Sequence, residues 1–475
     1  MVRIINVQKY ITIFLSVLFI LIFSCSSSFS RTVMQMTPTL TITEEYSDNY
    51  LKTENNKQEE YITSYSLGFS VGFLNKKSKI YLSYNPEYKD YKNLDNRDRF
   101  ENKVSLDGEF NPAKYTSINA HLAYAGHNDK LAGSSFQNTA SISGATKFSK
   151  NTDFNFTESY SNSFDQQERT GEYLEHDINN TTAGISKQFG EKDTMGLNFS
   201  YGFDNYKNSN ADEYAKYSPS GFVTYWMTPL NGLDLNLAYE RTDFDNSTND
   251  IDTYSGYIRY LRKFSKHFNG YLKYRHSYSE RDSGDHNIFH PSAGFDWELT
   301  KDSGISLGLG VLFNQWNNNN SDSADPFLDI DAYKTFNFSR RGSLSVTGSS
   351  GYGESNDQAA SLGYTTYYRA GFQLNYQLLK RLSSNLFGSY KLDEFHETAV
   401  NRKDNTLTLG GGLSWTVLKW LRFNISYSYS DFNTDTSLRS DYSENKASFS
   451  ISLIPSQPVR LKPSPSRQSL ENEIF

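Results

Sequence analysis

The sequence predicts an all-β fold: a transmembrane up-and-down antiparallel β-barrel of about 22 strands with no plug domain. Three observations predict it. Apolar residues alternate with small or polar ones from Thr39 to Ile454, connectors are short and long by turns, and aromatic residues are abundant. The 35 Tyr and 33 Phe exceed what one soluble core would use, and amphipathic rings in such numbers suit two interfacial girdles.

The N-terminus comes first, because residues 1–30 look like an address and not part of the fold. Arg3 and Lys9 form a basic n-region, and Ile11 to Phe23 is an unbroken apolar h-region. Ser24 to Ser30 then turns small and polar, which puts a signal-peptidase cut between Ser30 and Arg31. The h-region is too short for a comfortable spanning helix, and no later segment reaches the length one needs. Cys25, the single cysteine, follows Leu21-Ile22-Phe23-Ser24 and partly resembles a lipobox. It is read either as a lipidation site or, in preference because Phe23 is bulky, as a bystander discarded with the signal. No disulfide can form in the mature chain, although its compartment is oxidising.

Removing the signal takes two basic residues and no acidic one, so the net charge deepens from −7 to −9. Phosphate binding needs a basic face, so nucleic acid is not an expected partner. Mean hydropathy is that of a soluble protein. A membrane barrel has the same property, since only alternate residues meet lipid.

Residues 31–38 are expected to be a short periplasmic segment, and 39–454 the barrel. The alternation is clearest in Tyr61 to Phe73, where Tyr61, Thr63, Tyr65, Leu67, Phe69, Val71 and Phe73 interleave with Ser64, Ser66, Gly68, Ser70 and Gly72. A period of two marks a strand with two unlike faces. It recurs at Met195 to Phe203, Ile305 to Phe313 and Leu421 to Tyr429. Large soluble β-proteins alternate too; strand length and the connectors favour the membrane.

The short connectors are read at Leu74 to Lys77, Asn111 to Ala113, Ser149 to Asn151, Gly190 to Lys192, Thr228 to Gly232, Lys301 to Gly304, Arg340 to Gly342 and Leu418-Lys419. They carry hairpin residues and many lysines. The long ones run over Asn49 to Glu60, Asp165 to Glu172, Asn205 to Asp212, Asp243 to Asp252, Asn317 to Asp325 and Asp393 to Asp404, rich in Asn, Asp, Ser and Glu. Short turns belong in the periplasm and long acidic loops outside. Trp226, Trp297, Trp415 and Trp420 lie near short turns, as an inner girdle requires, while Pro86, Pro219, Pro291 and Pro326 fall toward the loop ends. The first strand and Ala447 to Leu453 are expected to pair and close the sheet, which removes its edges. Residues 455–475 hold four prolines, which cannot continue the ladder, and read as a disordered periplasmic tail ending in Phe475.

The opening segment Pro38-Thr39-Leu40-Thr41-Ile42-Thr43-Glu44-Glu45-Tyr46-Ser47-Asp48-Asn49 resembles the first strand of porin-like outer-membrane barrels and of the PEP-CTERM/exosortase-associated outer-membrane proteins. The resemblance covers the whole chain in architecture and only this segment in motif. It implies an outer-membrane channel, or a barrel accompanying exopolysaccharide secretion in a Gram-negative cell, and supplies no catalytic residue.

The residues themselves offer little chemistry. The eight histidines are scattered; the best group is His286 and His290 with Asp282 and Asp285, and a solvated loop is the plainer reading. Asp243-x-Asp245-x-Ser247-x-Asn249 starts like an EF-hand loop, but Thr248 stands where that loop needs Gly and Tyr254 where it needs Glu. Weak divalent binding beside lipopolysaccharide is the most it offers. Gly410-Gly411-Gly412 has no following helix or Lys-Ser/Thr and is no phosphate loop; close packing accounts for it.

No enzyme activity, cofactor or metal site is therefore expected. The inward phase instead carries Arg259, Lys273, Arg275, Asp329, Asp331, Arg369, Gln373, Asn375, Arg422 and Asn424, candidates to line a lumen and set its solute preference. The leading expectation is a passive channel or secretion-associated barrel in the outer membrane. Its partners would be membrane lipid, lipopolysaccharide, and polysaccharide or small solutes. An occluded structural or adhesive barrel is the alternative, and an outer-membrane hydrolase ranks third. A plug has no room between the cut and the first strand.

Overall fold

The computed structural model describes residues 32–460, apart from 95–96, 130–132, 167–172, 208–212, 246–249, 282–283, 301–302, 318–321, 358–359, 397–401 and 436–439. The expected signal, its Ser30/Arg31 cut, Cys25 and Phe475 lie outside the described residues.

The alternating segments form one antiparallel sheet of 24 strand segments. Two of these, β3 (Ser78–Tyr84) and β4 (Glu87–Tyr91), are one strand interrupted at Asn85-Pro86, and both pair with β2 (Glu60–Leu74). Another, β24 (Val459–Arg460), is a two-residue addition. The wall therefore has 22 spanning strands. Each of them pairs with its sequence neighbours, and β1 (Val33–Ser47) pairs with β23 (Tyr442–Leu453) to close the barrel. Closure joins the last strand to the first, as spanning a bilayer with strands requires. Among the described residues there is no α-helix and no plug domain.

Closure rests on side chains as well as on the ladder. Asn445 donates from its backbone N–H and from Nδ2 to the Asp48 carboxylate, both at 2.7 Å. Asn49, fully buried, donates to the Ser443 carbonyl at 2.9 Å, and Lys446 pairs with Glu45 at 2.7 Å. The Asp-Asn pair that ends the opening motif is thus the clasp between first and last strands.

The two ends of the wall differ. At one end the turns are as short as Lys150-Asn151, between β7 (Gly133–Ser149) and β8 (Thr152–Gln166). At the other, the connections are mostly longer, as from Ser47 to Glu60. Strands of 12 to 20 residues exceed the roughly 9–11 needed to cross a bilayer.

The lipid-facing phase is read from exposure: Leu237 is 73% exposed, Leu309 71% and Leu197 66%, side chains that only lipid would cover. Register carries that phase around the wall through Leu197↔Gly221, Gly221↔Leu237, Leu272↔Ala293, Ala293↔Leu309 and Leu309↔Leu328. Phe148, Phe264, Phe338, Trp297, Trp415 and Trp420 are exposed near the short turns, where an interfacial girdle belongs.

Several expectations change in detail. The first strand begins at Val33, so most of the segment 31–38 enters the wall. The tail also continues the ladder once more, with Val459 opposite Met36 and Arg460 opposite Gln35, between prolines at 458 and 463. Asn111 to Ala113 are the last residues of β5 (Arg99–Ala113), and the turn falls at Lys114-Tyr115 after a register shift. Trp226 sits one residue out of the lipid-facing phase of Tyr225, and Lys192 lies 5.2 Å above its ring.

Candidate functional site

The inner phase of one wall sector gathers charge. It spans β12 (Asn231–Phe244), β13 (Ile251–Ser265), β14 (Phe268–Arg281), β15 (His286–Thr300), β16 (Ser303–Trp316) and β17 (Ser323–Ser339). Each strand offers every second side chain to this face, and the register stacks them: Asp234↔Arg259, Arg259↔Lys273 and Gly308↔Asp329. Arg259 lies between two carboxylates, 3.6 Å from Asp234 and 3.4 Å from Asp296. Lys273 pairs with Asp329 at 3.4 Å. These side chains are 14–25% exposed, so they line a recessed polar face and are neither sealed in a core nor fully solvated.

Aromatic rings carry the cations. Arg259 stacks over Tyr271 at 5.2 Å, Lys273 lies 5.8 Å above Tyr257, and Arg275 covers Tyr352 at 4.5 Å. Such contacts hold a guanidinium in place without neutralising it. Tyr271 is seated against two positions that lack side chains: a Cβ at Gly294 would stand 2.6 Å from its hydroxyl, and one at Gly308 2.4 Å.

The predicted residues do not all converge. Arg259, Lys273, Arg275 and Asp329 form the patch. Asp331 shares the inner phase and is exposed. Arg369 and Arg422 lie on β19 (Ala360–Leu379) and β22 (Leu421–Thr434) and are both exposed; Arg369 rests 4.6 Å over Tyr367. Gln373 and Asn375 border a polar recess of about 710 Å³ with Asn337, Ser343 and Asn385. Asn424 bridges Ser414 and Ser450. Sequence reading missed Asp234, Asp296 and the three tyrosines. Their phase was available in the alternation, but which strand faces which cation depends on register.

The histidine group resolves into packing. His286 bonds Asn314, and His290 Nδ1 lies 3.1 Å from the Tyr352 hydroxyl. Both imidazoles are buried, Asp285 engages Asn317 instead, and Asp282 is outside the described residues. Among the described residues no group of three His, Cys, Asp or Glu is placed to hold a metal. In the acidic segment after Arg241, Asp243 pairs with that arginine and Asp250 accepts from the Phe244 N–H. At Gly410 a Cβ would lie 2.5 Å from Phe387 and 2.8 Å from the Tyr427 carbonyl, so the glycine run serves close packing.

The family described as "Putative beta-barrel porin 2" matches residues 313–453, from the end of β16 to the end of β23. That match covers 141 of the 475 residues, and over this stretch the chain resembles a β-barrel porin family. Among solved structures, the ferric-catecholate import receptor Fiu from E. coli K12 is similar at a TM-score of 0.53 and 9% identity, covering 88% of this chain and 81% of that one. A mutant of the ferric enterobactin receptor PfeA from Pseudomonas aeruginosa is similar at 0.49 and 8%, covering 88% and 80%. The siderophore receptor PirA from Acinetobacter baumannii matches at 0.49 and 8%, with the same coverage. At such identity the likeness concerns the fold alone. No curated protein matches the chain.

Proposed function

We propose that the barrel is a passive outer-membrane channel for small hydrophilic solutes, with ion preference set by the inner patch of Arg259, Lys273, Arg275 and Asp329. The observation that carries the reading is the division of the wall by phase. Lipid-facing positions are apolar, while the opposite phase carries paired charges and small polar groups, the composition of a wet interior.

In the patch Arg259 faces Asp234 and Asp296, Lys273 faces Asp329, and Arg275, with no carboxylate partner among the described residues, has an aromatic ring beneath it. Arg275 is therefore the cation whose field reaches solute with least cancellation. Reversing Arg259, Lys273 and Arg275 together to Glu should move the zero-current potential in a salt gradient toward cation preference. Arg275→Glu alone should produce most of that movement. Unchanged potentials in a conducting barrel would remove the patch from the account.

A second reading has its own support. The inner phase of β8, β9 (Tyr173–Gln188) and β10 (Thr194–Lys207) offers Thr157, Ser159, Asn180, Thr182, Asn198 and Ser200, a neutral face of hydroxyls and amides suited to saccharides. With the resemblance of Pro38 to Asn49, it favours passage of polysaccharide, and the cell's outer leaflet supplies lipopolysaccharide as the surrounding partner. Swelling of proteoliposomes in neutral oligosaccharides of increasing length checks it. A cut-off at the size of a monosaccharide would contradict it.

A further inference from the structure

One seam of the wall is only half zipped. Strand β17 pairs with β16 up to its loop end, Asn314↔Ser323, and β18 (Gly342–Asp357) pairs with β19 up to Asp357↔Ala360. Between β17 and β18, however, the ladder stops at Asp331↔Ser349. Beyond that point a side chain replaces strand pairing: Ser350 Oγ accepts from the Ile330 N–H at 2.7 Å and donates to the Leu328 carbonyl at 2.7 Å. The next residue of the same parity on β17 is Pro326, which has no N–H to leave unsatisfied at an unpaired edge.

The outer half of β18 and β19, residues 350–357 and 360–368, lies inside the wall where Tyr352 and Tyr368 pack. Tyr352 and Tyr368 have the parity of the exposed, lipid-facing Val346 and Phe372. Yet Tyr352 is buried against Ile288, Leu312 and Phe327, with Tyr368 packed beside it. Phe327 has the parity of Asp329, and His290 that of the other inward residues of β15. The Tyr352 ring meets Phe327 edge-on at 5.3 Å and His290 at 5.2 Å, and Arg275 covers it at 4.5 Å.

We infer that the outer half of β18–β19 is a hinged flap, pivoting at Asp331/Ser349 and latched by Tyr352, whose release opens the wall between β17 and β18 toward the bilayer. The paired half, down to Ser339↔Gly342, keeps the barrel closed while the flap moves. Ladder bonds along an intact seam break together, whereas here a serine bridge and an aromatic seat must yield, two contacts that can exchange between discrete arrangements. The inference stands whether or not the barrel conducts ions.

The test reads distance instead of current. Spin labels go on Gly353→Cys, where an added Cβ meets nothing within 4 Å, and on the exposed Val311→Cys of β16. The only native cysteine, Cys25, lies in the expected signal. In the refolded barrel in lipid vesicles, Tyr352→Ala should raise the population at longer distance by about threefold or more. Tyr352→Phe, which keeps the ring and loses the hydroxyl contact with His290, should fall between. A control pair on Val311→Cys and Val346→Cys, the second of these in the zipped half, should not change. One narrow distribution, identical in the wild type and both variants, would overturn the flap. If Tyr352→Ala does not refold, the comparison of wild type with Tyr352→Phe decides in the same terms.

Discussion

At the scale of residues, the barrel depends on a few positions where size or hydrogen bonding admits no substitute. Gly294 is one: a Cβ there would stand 2.1 Å from the Leu307 carbonyl as well as against Tyr271, the ring beneath Arg259. Gly294→Val should destabilise by about 1–3 kcal/mol, the usual range for overpacking, read as a lower urea midpoint of the refolded barrel. An unchanged midpoint would mean that Tyr271 does not occupy that bay. Asn49 is another, buried at the clasp with Nδ2 shared between the Thr53 and Ser443 carbonyls. Asn49→Ala leaves those acceptors unpaired and should cost about 1–3 kcal/mol in the same assay. The inward phase of Arg259, Lys273 and Arg275 was legible from alternation alone. Their counter-charges were not, because Asp234 and Asp296 lie on strands whose register the sequence pattern does not specify.

At the scale of elements, strands were easier to read than turns. A period of two repeated over a dozen residues is a strong signal, but turns announce themselves mostly through Gly, Pro, Asn and Asp. The turns at Lys266-His267 and Lys380-Arg381 contain none of these and were missed. The half-zipped seam is equally hidden: Pro326 reads as a loop-end proline, and nothing in the alternation says that β18 leaves β17. The two faces of a strand should also respond differently to charge. Leu309→Arg, midway along β16 and facing lipid, should destabilise by roughly 2–4 kcal/mol. Thr347→Lys, on the inward phase of β18, should shift stability by less than about 1 kcal/mol. Equal penalties at the two positions would contradict the assigned phases.

At the scale of the whole molecule, the strand number and closure follow from features that accumulate along the chain. Short and long connections alternate, so an even number of strands returns the last one beside the first, and Leu40↔Leu453 to Ser47↔Lys446 complete the ring. The intact ring should resist detergent: unheated samples should run at a different gel mobility from boiled ones, and a soluble sandwich should not. The interior is the part the sequence describes least, since its contents are set by side chains that meet only after closure. A water-filled interior conducts ions, and single-channel recording of the refolded protein in planar bilayers reads that conduction. Discrete conductance steps in the wild type are the expected result; an electrically silent bilayer containing correctly folded, heat-modifiable barrel would contradict it.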